Sequence, residues 1–167
     1  MAQAKRRSSR PPLRPDDPDA CHEAALRLVE RRLRTAADVR ARLVRRGFLV
    51  ETVDGEVRRL ARVGLVDDAA VAAALARERS GPAPGGRLRL RADLRRLRVS
   101  ELEAQAVLAA FDEDAALEQA VAEFRRRLAD RANAERCLRY LLQRGFSRGR
   151  ALAAARRFHA PDHELLE

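Results

Sequence analysis

One short phrase occurs twice in this chain and limits what it can become. Leu43-Val44-Arg45-Arg46-Gly47-Phe48 returns 98 positions later as Leu141-Leu142-Gln143-Arg144-Gly145-Phe146, with four of six residues identical. An apolar and basic run that stops at Gly and resumes with Phe describes the end of an amphipathic helix. The glycine takes the left-handed conformation that ends it, and the aromatic ring packs back on the turn it closes. A third segment, Leu94-Arg95-Arg96-Leu97-Arg98-Val99, lies 51 positions after the first and leads into Ser100. Each segment ends a second helix and leads into a third, so the phrase predicts tandem three-helix units of about fifty residues each.

The apolar spacing supports that frame. Leu26, Val29 and Leu33 share one face of a first helix. Thr35 and Asp38 form a capping box for a second helix with Val39 and Leu43, and Val53, Val57 and Leu60 mark a third, closed by Gly64. Asp67 can cap a fourth helix containing Val71 and Leu75, and Ser80 to Gly86 forms a Gly/Pro linker. A fifth helix holds Leu90, Leu94 and Leu97, and Ser100 with Glu103 opens a sixth with Val107, Leu108 and Phe111. Leu117, Val121, Phe124 and Leu128 mark the seventh, and Cys137, Leu138 and Leu141 the eighth. Leu152, Ala155 and Phe158 mark the ninth. The expected fold is all-α, with helix-turn-helix-like repeats over 20–66, 67–112 (loop 80–86) and 113–159. A basic, Pro-rich arm over 1–19 is expected to be disordered, and 160–167 forms a C-terminal tail. Units this small bury little surface alone, so they should stack into an elongated, curved body.

The chemistry is more notable for what it lacks. Two cysteines, Cys21 and Cys137, stand far apart without a CxxC or a metal-spaced His partner, and read as buried reduced thiols. No phosphate loop, nucleophile elbow or HExxH is present, so the chain is expected to be no enzyme and to carry neither metal nor cofactor. The Gly85-Gly86 pair reads as a hinge rather than a phosphate seat, Asp67-Asp68 as a helix cap, and His22, His159 and His163 as exposed. No run of 18 apolar residues and no signal-like h-region occurs, so a cytoplasmic protein is expected.

The formal charge is +10, which favours a polyanion or an acidic protein surface as partner. Lys5 is the only lysine, so the basic character is almost wholly arginine, as a GC-rich genome would also produce. On the fifth helix Arg87, Arg91 and Arg98 fall within about 40° of one another along one flank of the leucine stripe, with Arg95 beside them. Such a row can grip phosphates or carboxylates bidentately. A second candidate patch comprises Arg45, Arg46, Arg58, Arg59 and Arg62, and a third includes Arg125, Arg127, Arg144 and Arg148. With five Phe, one Tyr and no Trp, base stacking on aromatic platforms is not expected, and any DNA contact should be phosphate-driven and salt-sensitive.

In order and spacing these motifs resemble the RecX family of recombinase regulators. The family's opening pattern appears as Arg34-Thr35-Ala36-Ala37-Asp38-Val39 followed by Gly47-Phe48. Its Gly-Tyr-Leu-Asp-Asp segment appears as Gly64-Leu65-Val66-Asp67-Asp68, and its basic helix as Gly86-Arg87-Leu88-Arg89-Leu90-Arg91-Ala92-Asp93-Leu94. Its closing motif appears as Leu141 to Phe146. Together they cover roughly Ala20 to Phe158. Two departures stand out. Arg98 replaces a helix-ending Gly, which predicts a looser turn there, and Leu65 and Val71 replace aromatics, which predicts a core of smaller side chains. The resemblance implies a monomeric protein that binds the RecA–single-strand DNA filament. There it would suppress filament extension, strand exchange, ATP hydrolysis and the co-protease role, with added contacts to single- or double-stranded DNA phosphates. The competing expectation is an independent, sequence-blind helix-turn-helix DNA binder.

Overall fold

The computed structural model describes residues 14–128 and 132–158. Among the described residues the chain is all-α, with nine α-helices and a closing 3-10 turn (Arg156–Phe158). The first triplet is α1 (Pro18–Val29), α2 (Ala36–Arg45) and α3 (Val50–Arg62). The second is α4 (Asp68–Ser80), α5 (Arg87–Arg96) and α6 (Glu101–Ala110). The third is α7 (Glu113–Leu128), α8 (Ala134–Gln143) and α9 (Arg148–Ala155). The chain divides into two compact units inside α4, between Val71 and Ala72.

Helix starts in the first unit follow local chemistry. The Asp17 carboxylate accepts from the Asp19 and Ala20 amides, each at 3.0 Å, and Pro18 opens α1 where its missing N–H has no cost. The Thr35 hydroxyl accepts from the Asp38 amide at 3.2 Å, which starts α2. The Asp38 carboxylate pairs with Arg34 and Arg42. Asp67 and Asp68 serve two different helices. Asp67 accepts from Ala70 in the first turn of α4, while Asp68 reaches back 2.7 Å to the Ala36 amide at the start of α2.

The first core gathers Cys21, Ala25, Leu28, Val39, Leu43, Phe48, Val53, Leu60 and Val66. The expected face of α1 holds in part, since Leu26 and Val29 are half-buried against this core. Leu33 lies beyond the helix end and is 60% exposed, while the smaller Cys21 and Ala25 point inward with Leu28. In α9 the expected Ala155 is buried together with Ala151 and Ala154, and Phe158 packs against the second core, but Leu152 faces outward. Apolar periodicity weighted towards Leu misses the small side chains buried at these positions. Leu65 is exposed, so it contributes nothing to core volume.

The repeated phrase forms the same turn each time. Gly47 has φ 95° and Gly145 has φ 80°. In both, the glycine amide donates to the carbonyl three residues back and the Phe amide to the carbonyl five back. Phe48 and Phe146 are buried behind these turns. The middle copy is not looser, contrary to expectation. Arg98 itself adopts φ 56°, its amide donates to Arg95 O at 2.9 Å, and the Val99 amide donates to Leu94 O at 3.1 Å. The turn is kept at the cost of an unfavourable backbone conformation for a side-chain-bearing residue.

In the second unit the second and third triplets share one core. It runs from Ala72, Leu90, Leu94, Val99 and Leu108 through Leu117, Val121, Phe124, Cys137 and Leu141 to Phe146 and Ala155. Phe124 anchors an aromatic group, 5.3 Å from both Tyr140 and Phe158. The Gly/Pro segment before α5 is not a hinge. Pro84, Gly85 and Gly86 are buried, and the Gly86 amide donates to Arg144 O while the Leu88 amide donates to Gly145 O. Glycine is required because a Cβ on Gly86 would lie 2.3 Å from Gly145 O.

Candidate functional site

Helix α5 projects the expected basic flank, and the structure sorts its arginines by role. Arg87 is turned inward. Its guanidinium donates to Leu108 O and Phe111 O at the end of α6 and pairs with Glu113 at 3.6 Å. Its amide donates to the same carboxylate at 2.8 Å. Arg98 leaves the flank as well, because α5 ends at Arg96 and Arg98 sits in the left-handed turn. The helical spacing that joined Arg87, Arg91 and Arg98 therefore does not hold across the helix end. Arg91 and Arg95 remain, both exposed and without an ion pair among the described residues. Together with Arg87 they form one wall of a groove of about 280 Å³ between α5 and α6. The opposite wall carries Glu101 and Gln105, and Ala104, Leu108 and Ala109 line the rest.

The start of α5 cannot seat a phosphate. Its first amides are already engaged by Arg144 O, the Glu113 carboxylate and Gly145 O. Three acceptors fill the place an anion would take.

In the first unit Arg58, Arg59 and Arg62 are exposed along α3. Arg45 is exposed with its Nε donating to Ala41 O, whereas Arg46 is half-buried and donates to Ala24 O at 3.1 Å, tying the end of α2 to α1. In the second unit Arg148 is exposed at the start of α9, and Arg125 stacks over the Phe158 ring at 4.9 Å. Arg127 and Arg144 are neutralised internally, both by Glu123. Arg144 also donates to Pro84 O at 2.9 Å and lies 4.6 Å over the Tyr140 ring. Burial, with the hydrogen bond Tyr140 donates to Glu123, pushes the phenol up to about 12.

Sequence reasoning missed the internal roles of Arg79 and Arg150 in the second unit. Arg79 is buried and grips Asp93 with two donors, at 3.1 and 2.9 Å. Arg150 pairs with Glu113 and with Asp114. The usable signal was the near-absence of lysine, since a planar five-donor guanidinium tolerates burial that an ammonium does not. His22, expected in solvent, is half-buried with Nδ1 2.8 Å from the buried Glu56 carboxylate. His159 and His163 lie outside the described residues.

Both cysteines are free and buried. Desolvation, with the nearby Glu56 charge, pushes the Cys21 thiol up to about 11, and desolvation also raises Cys137. Among the described residues no group of His, Cys, Asp or Glu is arranged to hold a metal ion, and no helix is long and apolar enough to cross a membrane. What the surface offers is exposed guanidinium groups on both units.

No family model matches the chain. Among individual proteins, the regulatory protein RecX of Pelodictyon phaeoclathratiforme is 29% identical over 125 residues, covering 73% of this chain and 78% of that protein. The regulatory protein RecX of Mycobacterium sp. (strain JLS) is 32% identical over 152 residues, covering 85% and 83%. The crystal structure of RecX from Lactobacillus salivarius has a TM-score of 0.71 at 17% identity, covering 84% of this chain and 96% of its own. A second RecX crystal structure has a TM-score of 0.68 at 21% identity, covering 84% and 73%. The structures share the fold, and the sequence likeness runs through nearly all of both chains: this protein belongs to the RecX regulatory protein family.

Proposed function

We propose that this protein regulates a RecA recombinase filament on single-stranded DNA, lowering its extension, strand exchange, ATP hydrolysis and co-protease activity. Membership of the RecX family supports the choice of partner. The physical observation that carries the reading is the distribution of unspent charge. Of the thirteen candidate arginines only Arg87, Arg127 and Arg144 form ion pairs among the described residues, and the others leave cationic groups on both compact units. A filament offers phosphates and acidic protein surface along its length, so several such groups can act together. In this reading the protein is a cytoplasmic monomer built as three three-helix repeats, 20–66, 67–112 and 113–159, and needs no cofactor. Inhibition follows from linkage: a ligand that binds one filament conformation better than the others lowers the population of the states through which turnover must cycle.

The test is titration into RecA-dependent ATP hydrolysis on single-stranded DNA, repeated with excess competitor duplex at moderate salt. Inhibition should saturate and survive the competitor. Inhibition that disappears with the competitor identifies an independent DNA binder, and absence of inhibition refutes the reading.

A further inference from the structure

The groove between α5 and α6 has a mixed character that separates it from the other basic patches. One wall presents Arg91 and Arg95, four residues apart on α5 and so about 6 Å apart along its axis. That spacing alone suits either successive phosphates or carboxylates one helical turn apart. The other surfaces discriminate. Glu101 faces the arginines across the groove and accepts a hydrogen bond from Gln105 Nε2 at 3.1 Å, which spends a donor an anion would need. The lining between them is apolar, with exposed Ala109 and the edges of the buried Ala104 and Leu108. A nucleic-acid backbone carries a charge at every unit, so it would place one beside Glu101 and leave the apolar lining without a partner. A peptide can place carboxylates only where the arginines are and turn an aliphatic side chain to the remainder.

We infer that the α5–α6 groove docks an acidic, partly apolar segment of a protein partner, with carboxylates on Arg91 and Arg95 and an aliphatic side chain against Leu108 and Ala109. The inference rests on the filament reading and assigns this groove to protein rather than to DNA. Arg58 and Arg62, also four residues apart and exposed on α3, provide a comparison pair of arginines outside the groove.

The experiment uses the full chain as wild type, Arg91→Glu/Arg95→Glu, Arg91→Gln/Arg95→Gln and Arg58→Glu/Arg62→Glu. Each is assayed for inhibition of RecA filament ATP turnover and for binding to a fluorescent thirty-nucleotide oligo-dT over a range of salt. All four substituted arginines are exposed, and thermal melts by circular dichroism confirm folding. Both groove variants should raise the half-inhibitory concentration about tenfold or more. They should leave the salt slope of oligo-dT binding unchanged, whereas each lost phosphate contact would lower it by about 0.7. The α3 reversal should weaken inhibition less. A lowered salt slope in the groove variants makes the groove a phosphate site and overturns the inference. So does unchanged inhibition, or an equal loss from the α3 reversal. If the wild type itself leaves turnover unaltered, the filament reading fails first and this one falls with it.

Discussion

Replacing Gly86 with alanine tests how the second unit is closed. An ideal Cβ there lies 2.3 Å from Gly145 O and 2.5 Å from both Gly145 C and Phe146 N, all backbone atoms in a buried turn. Ordinary contact begins near 3.4 Å, so α5 must retreat by about an ångström from the α8–α9 turn. Two hydrogen bonds span that gap, Gly86 N–H to Arg144 O at 2.9 Å and Leu88 N–H to Gly145 O at 3.2 Å. Breaking both costs about 1 kcal/mol each, and overpacking adds about 1–3 kcal/mol, so a loss of roughly 3–5 kcal/mol is expected. Gly55, inside α3 with nothing within 4 Å of its Cβ position, is the control, and Gly55→Ala should stabilise by about 0.5–1 kcal/mol. The assay follows urea unfolding by far-ultraviolet circular dichroism, with thiol labelling of the two cysteines under native conditions. Cys21 lies in the first core and Cys137 in the second, so each reports on one unit. Gly86→Ala should lower the unfolding midpoint and accelerate labelling of Cys137 while sparing Cys21. A variant within about 0.5 kcal/mol of wild type, or one that exposes Cys21 equally, refutes this account of the contact.

Arg98→Gly should raise the thermal midpoint, because relieving a left-handed arginine gains about 1–2 kcal/mol and the added freedom of the unfolded glycine returns about half of it; an unchanged or lower midpoint counts against the turn geometry. Arg87→Ala should destabilise by about 2 kcal/mol through loss of the α6 carbonyl contacts and the Glu113 pair. Arg91→Ala and Arg95→Ala should stay within about 0.5 kcal/mol of wild type by the same urea assay. Burial pushes the Asp38 carboxyl up, but hydrogen bonds from Arg42 and Arg34 outweigh it and hold the group below its ordinary 3.8. A depressed folded-state value means its contribution is present above that pH and is lost as pH falls through the folded value. Asp38→Asn should therefore lower stability at pH 7 and flatten the acid limb of the stability profile, and an acid limb as steep as wild type excludes this assignment.

Much of the fold was legible because helix boundaries are local events. Ser100, Asp67 and the Gly-Phe phrases act within a few residues, and the structure places a helix end at each. Faces were harder to read. In α1 and α9 the buried positions that were missed include Cys21, Ala25, Ala151 and Ala154, whose weight in an apolar pattern is small. The buried partners of charged groups were invisible for a different reason. Glu56 and His22 are 34 residues apart, and Arg79 and Asp93 are 14 apart, so no periodic pattern joins them.

The arginines show where local reasoning about a surface stops. Helical geometry placed Arg87, Arg91 and Arg98 on one flank with Arg95 beside them; Arg87, Arg91 and Arg95 line the α5–α6 groove, whereas Arg98 lies in the turn beyond the helix. That geometry could not tell which side chain is spent inside, because that depends on where the acids of other helices arrive. Glu113, at the start of α7, withdraws Arg87 and Arg150, and Glu123 withdraws Arg127 and Arg144. Each carboxylate in effect selects which cations remain on the surface. The net charge of +10 therefore says little about where a partner binds. The informative quantity is the charge left after internal pairing, which on the groove side of α5 is Arg91 and Arg95, opposite Glu101 and beside aliphatic surface. A site that mixes both signs of charge with an apolar lining is selective in a way that a uniformly basic face is not, since it penalises a partner whose charges fall at every position.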